Sequence, residues 1–176
     1  MIEDIIIAGA GGQGVMLLGK VLSETAMLEE KFVTWLPCYG AEVRGGTANC
    51  MVVVSDSPIG SPYIEKADTL IIMNSPSLER FKGRLNKRGL MLVNSSLAHN
   101  IPDNKYTRAY PFTDIALELG NVQVANMVAL GAYVAHRKIV KPQTVIRAME
   151  EIAPADKKKL VAINTRAFEK GFDLSL

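Results

Sequence analysis

At 176 residues the chain is long enough for one domain with a substantial core, and 48% hydrophobic with 22% charged residues is ordinary for a globular protein. The formal net charge of +2 is too small to point to nucleic acid, and the run Lys157-Lys158-Lys159 reads as a solvated helix face. No apolar stretch approaches the roughly 20 residues that cross a bilayer, and an N-terminus carrying Glu3 and Asp4 lacks the basic region of a signal peptide, so a cytoplasmic location is expected.

Ile5-Ile6-Ile7-Ala8 reads as a buried strand that runs straight into Gly9-Ala10-Gly11-Gly12-Gln13-Gly14. Val15, Leu18, Leu22 and Ala26 then recur at helical spacing and give the first helix its apolar stripe. Strand, glycine turn and helix start are the first half of a βαβ unit, whose helix N-terminus suits an anion. The pattern G-x-G-x-x-G is a weak signal alone, because the same glycines can simply shape a tight turn.

Phe32–Leu36 is rich in β-branched and aromatic residues and is expected to stop as a strand at Pro37. The polar, glycine-rich run from Cys38 to Gly46 reads as a loop, and Thr47–Ser55 as a further strand. Two prolines and a glycine make 56–62 a surface loop. Thr69–Met73 is a buried strand ending in Asn74-Ser75-Pro76-Ser77. There Ser75 is the expected N-cap and Pro76 the first position of a helix running to about Arg88, closed by Gly89. Leu90–Val93 is another buried strand, ending in Asn94-Ser95-Ser96, and a short strand is expected near 106–109. Helices are expected over 112–119 (closed by Gly120), 123–137, 141–152 and 156–170.

Apolar strands alternating with helices predict a single Rossmann-like α/β domain, 1–176. Its sheet should be mostly parallel, with helices on both faces and a helical C-terminal part. In such folds ligands and partners meet the carboxyl ends of the strands. The loops expected there are Gly9–Gly14, Tyr39–Gly46, Asn74–Ser77 and Asn94–Ser96.

A dinucleotide enzyme would need an acid at the end of the second strand, about 20 residues past the glycines, to hold the ribose. That strand ends Thr34-Trp35-Leu36-Pro37 with no acid and no arginine for a 2′-phosphate, which argues against NAD or FAD. A P-loop is absent, since Val21 follows Gly19-Lys20. Cys38 and Cys50 have neither metal-site nor redox-motif spacing, and a cluster would normally need four thiolates. With His99 and His136 the only histidines, a self-contained zinc site or a Ser-His-Asp hydrolase is not expected. No catalytic residue and no metal ligand set is therefore assigned.

The remaining distinctive stretch is Tyr39-Gly40-Ala41-Glu42-Val43-Arg44-Gly45-Gly46-Thr47. Arg44 could clamp a carboxylate or phosphate, or pair across a subunit boundary, while Gly45 and Gly46 let another backbone come close. A solvated turn is the alternative.

GAGGQGV, then LPCYGAEVRGGTANC, a strand ending in Asn74, ELGN at Glu118–Asn121 and NMVALGA at Asn126–Ala132 together resemble the gamma subunit of 2-oxoacid:ferredoxin oxidoreductases, most closely the 2-oxoglutarate or branched-chain type. The resemblance covers nearly the whole chain. It implies a complex of alpha, beta, gamma and often delta subunits that decarboxylates a 2-oxoacid oxidatively to an acyl-CoA and passes electrons to ferredoxin. Thiamine diphosphate, Mg, iron–sulfur clusters and coenzyme A would belong to the complex, with no cofactor held by this chain alone. The chain would then be an inactive, non-redox part beside the active site, able to self-associate when isolated. Gly9, Gly11, Gly12, Gln13, Gly14, Tyr39, Gly40, Glu42, Arg44, Gly45, Gly46, Thr47 and Asn74 become candidates for contact with partner subunits. The competing readings are a free-standing dinucleotide-binding oxidoreductase and a small α/β ligand-binding module.

Overall fold

The computed structural model describes residues 1–39, 47–154 and 158–174. Its strands are β1 (Ile2–Ala10), β2 (Phe32–Tyr39), β3 (Thr47–Ser55), β4 (Ala67–Ile72), β5 (Leu85–Asn94) and β6 (Thr107–Tyr110). The helices are α1 (Val15–Leu28), α2 (Ser75–Phe81), α3 (Phe112–Glu118), α4 (Ala125–Arg137), α5 (Pro142–Ile152) and α6 (Lys158–Asp173). The strands form one sheet in the order β2-β3-β1-β4-β5-β6. β1, β4, β5 and β6 are mutually parallel neighbours, whereas β3 pairs antiparallel with both β1 and β2. Five strands thus point one way and β3 alone is reversed, so the expected mostly parallel α/β sheet holds.

Apolar side chains alternate between the faces as a two-residue period requires. Ile5, Ile7, Cys50, Val52 and Val54 face a large core closed by α1, α3, α4, α5 and α6. Ile6, Ala8, Met51 and Val53 face a smaller one, closed by Leu78 and Phe81 of α2 together with Ile64 and Ala98. α4 is the central helix, buried from Ala125 to Ala135. It crosses α6 where a β-carbon on Gly131 would strike the Phe168 carbonyl and one on Gly171 the Val128 carbonyl. At the amino end of the sheet, Glu3 is 3% exposed. It accepts from Thr69 Oγ1 at 2.7 Å and pairs with Arg137, whose Nε lies 2.7 Å away. A buried carboxylate needs such partners.

Three expectations are corrected. β2 does not stop at Pro37 but runs on through Cys38 to Tyr39, because β2 is an edge strand and a residue without N–H is tolerated there. The cap of α2 is Asn74, one residue before Ser75, and its side chain accepts from the Ser77 N–H at 3.0 Å. That helix ends at Phe81, followed by one 3-10 turn over Lys82–Arg84. Residues 85–88 join β5 instead, and Gly89 lies inside the strand, packed on Leu85 and the Asp68 carbonyl where the β4–β5 register shifts. Parallel pairing with β4 outweighs the helix propensity of Lys and Arg there.

Candidate functional site at the carboxyl edge of the sheet

β1, β2, β4, β5 and β6 all end on the same side, and the reversal of β3 brings its first residue, Thr47, opposite Ala10 there. The Gly9–Gly14 loop, Thr47, Asn74 and Asn94 therefore share one edge, as anticipated. Arg80 of α2 donates to Thr47 Oγ1. Gly40, Glu42, Arg44, Gly45 and Gly46 lie outside the described residues, between Tyr39 at the end of β2 and Thr47 at the start of β3.

The glycine loop is filled by its own glutamine. Gln13 folds back so that its Oε1 accepts from the Ala10 N–H at 2.6 Å and from Asn74 Nδ2 at 3.1 Å. Its Nε2 donates to the Met73 carbonyl at 3.3 Å. A β-carbon on Gly9 would lie 2.7 Å from that Oε1, so the tight fold needs glycine there. Gly11 and Gly12 sit exposed at the tip. Gly14 caps α1 with a φ of 71°, and any side chain on it would run into the Asn126 carboxamide.

The network extends across the edge. Asn94 Nδ2 donates to the same Met73 carbonyl at 3.1 Å and to Thr113 Oγ1 at 2.8 Å. Asn126, at the start of α4, donates to the Gly14 carbonyl at 3.0 Å. Asn94, Asn126 and Thr113 are buried, and the sequence reading did not single out their side chains. Asn94 follows an apolar strand run and Asn126 opens the NMVALGA motif, whereas Thr113 had no signal of its own. Carboxamides and aliphatic hydroxyls do not titrate near neutral pH, and the bonds of this cluster run to one another and to the backbone with no base among them, so it holds a shape.

The start of α1 has no side-chain cap and no acid in its first turn, and Leu17 beside it is 40% exposed. In a doubly wound dinucleotide fold the ribose-binding acid stands at the end of a β2 that lies next to β1. Here β3 occupies that place, so β2 never neighbours the glycine loop directly. The two thiols do not fit a shared cluster, for Cys50 faces the larger core and Cys38 the smaller. Burial pushes the Cys50 thiol up to about 12, with the Trp35 indole opposing the shift. It behaves as a small hydrophobe. Among the described residues no group of three or more His, Cys, Asp or Glu is placed to hold a metal ion. No described helix is long and apolar enough to cross a membrane.

Residues 4–174 match the family described as pyruvate ferredoxin/flavodoxin oxidoreductase. The chain belongs to that family. Over 165 residues it is 34% identical to the ketoisovalerate oxidoreductase subunit VorA of Methanothermobacter thermautotrophicus, covering 94% of this chain and 35% of that protein. Over 180 residues it is 32% identical to the 2-oxoglutarate synthase subunit KorC of Methanocaldococcus jannaschii, covering 99% and 95%. Its fold superposes on the gamma subunit of a keto/oxoacid ferredoxin oxidoreductase from Geobacter sulfurreducens with a TM-score of 0.87 and 30% identity, covering 99% and 97%. The chain thus spans about a third of the VorA relative and nearly all of the KorC one. The family resemblance carried by GAGGQGV and LPCYGAEVRGGTANC holds, and so does the fold class expected with it.

Proposed function

We propose that this chain is the gamma subunit of a multisubunit 2-oxoacid:ferredoxin oxidoreductase, a cytoplasmic complex that converts 2-oxoglutarate or a branched-chain 2-oxoacid to the acyl-CoA. The chain is a single domain that contributes no redox group of its own. Thiamine diphosphate, Mg, the clusters and coenzyme A belong to the assembled complex, whose alpha, beta and delta subunits pass electrons to ferredoxin. The carboxyl edge of the sheet docks on those subunits through Gly11, Gly12, Gly14, Asn74 and the 39–47 segment, with Glu42 and Arg44 as polar anchors, while Gly9 is buried behind them. Gln13 sets the shape of the edge from within.

The observation that carries this reading is the self-filled glycine loop in a chain of this family. The side chain of Gln13 is spent inside the turn, bonded to the Ala10 N–H, Asn74 and the Met73 carbonyl, while the tip of the loop and Leu17 face outward. A free-standing dinucleotide enzyme would need an acid-tipped β2 beside β1, the place β3 takes here.

The test is co-expression with the neighbouring subunits and affinity capture through this chain. Thiamine-dependent and cluster-bearing chains should come down in fixed stoichiometry, with 2-oxoacid-dependent ferredoxin reduction only in the assembled material. A nucleotide tightly held by the purified chain, with no partner recovered, would overturn the reading. Within the complex, Arg44→Ala should lower subunit association or turnover; unchanged association together with unchanged turnover removes Arg44 as an anchor.

A further inference from the structure

The two edges of the sheet are built differently. β6 is four residues long and carries exposed Arg108, both of which discourage strand pairing. β2 is eight residues long and contains no charged residue, and Phe32 and Trp35 are 48% and 38% exposed.

The direction of the free backbone groups on β2 follows from its register. The Asp56 N–H donates to the Met1 carbonyl, one step beyond the Ile2–Ser55 pair. Bonding alternates along an antiparallel ladder. Ser55, Val53 and Met51 therefore turn their backbone groups to β2, where they face Phe32, Thr34 and Leu36. Val33, Trp35 and Pro37 point outward. Pro37, lacking an N–H, stands in the row where one is not needed. Lys31, in the same row, gives its N–H to the Ala26 carbonyl.

We propose that β2 pairs antiparallel with β2 of a second copy of this chain, across a two-fold axis at Thr34. Val33 then lies opposite Trp35 of the second copy, and the N–H and C=O of each are matched. The next outward pair is Lys31 opposite Pro37, and neither has an N–H to give, so the ladder ends with no donor stranded. Trp35 against Val33 and Phe32 against Leu36 are aromatic–aliphatic cross-strand pairs, which favour pairing. Thr34 meets itself. Its Oγ1 is buried with no hydrogen-bond partner among the described residues, and rotation of χ1 lets the two hydroxyls bond across the axis. A two-fold contact sets each residue against the same patch, so a strand without charge avoids the repulsion it would otherwise meet. This contact uses neither the glycine loop nor the 40–46 segment and stands apart from the subunit role above.

Sedimentation equilibrium of the isolated chain should show the mass doubling with rising concentration. Thr34→Arg places two guanidinium groups across the axis and should return the single mass with an unchanged circular dichroism spectrum. Thr34→Cys in a Cys38→Ser background should oxidise to a covalent dimer, because unbonded antiparallel pairs have α-carbons about 4.5 Å apart, within disulfide reach. A single mass at every concentration overturns the proposal, as does a doubled mass that Thr34→Arg leaves intact. A disulfide from that position to another subunit of the co-expressed complex overturns it too, in favour of a foreign strand on the same edge.

Discussion

Gln13 makes three hydrogen bonds across the glycine loop, and two of them satisfy donors that have no other acceptor in view, the Ala10 N–H and Asn74 Nδ2. Removing a part-buried acceptor leaves such donors stranded, at about 1–3 kcal/mol. Gln13→Leu should therefore lower the unfolding free energy by that order, read in chemical unfolding as a lower urea midpoint with an unchanged m-value. Asp4 is the residue whose charge works against the fold. Burial, then Asp68, then Glu3 hold its carboxyl above the usual 3.8. Because the folded value exceeds the unfolded one, the penalty is absent below pH 3.8 and fully present once the pH has risen past the folded value. Asp4→Asn should raise the unfolding midpoint at pH 7, and the gain should vanish in a series carried below pH 3.8. A gain that persists in acid would mean the effect is not electrostatic.

At the α4–α6 crossing the two backbones meet at Gly131 and Gly171 with no room for a β-carbon. Replacing Gly131 by alanine gains about 1 kcal/mol of helix propensity, but the new methyl would meet the Phe168 carbonyl and the Phe172 backbone nitrogen. Backbone cannot step aside as a side chain does, and overpacking costs about 1–3 kcal/mol or more. Gly131→Ala should thus be net destabilising by thermal or urea unfolding, although the position is helical and interior. Neither glycine of this crossing carries a sequence signal, since nothing local tells a helix glycine at a crossing from one that is merely tolerated. β1, α1, β3 and the C-terminal helices were legible because long apolar periodicity fixes them. The reversal of β3 was legible in principle, as residues 40–46 are too few for a parallel crossover. The strand start at 85–88 was not, because Leu85-Asn86-Lys87-Arg88 has no strand pattern of its own and is held by β4. At the site, the glycines, Gln13 and Asn74 were readable from motif spacing, whereas Asn94, Thr113 and Asn126 became partners only through the fold.

On the scale of the whole molecule, the polar cluster at the carboxyl edge is neutral, preorganised and without acid–base chemistry, while the ion-paired Glu3 and Arg137 secure the opposite end. A rigid edge of this kind suits a protein contact, since little side-chain entropy remains to be lost on docking. The first three N–H groups of α1 precede the first helical bond, Leu18 to Gly14, and Gly11 and Gly12 are exposed beside them. In the isolated chain these amides should exchange with solvent rapidly. Hydrogen exchange on the free chain and on the co-assembled complex should then differ most over 9–17, 74–77 and 94–96, with slowing on assembly. Residues 85–88, at the far end of β5, should be unchanged. The amides of Val33 and Trp35 separate the two contacts, for pairing between copies slows them in the isolated chain before any other subunit is added. Slowing confined to the amino end of the sheet, with the glycine loop unaffected, would mean that the complex is built on the other edge.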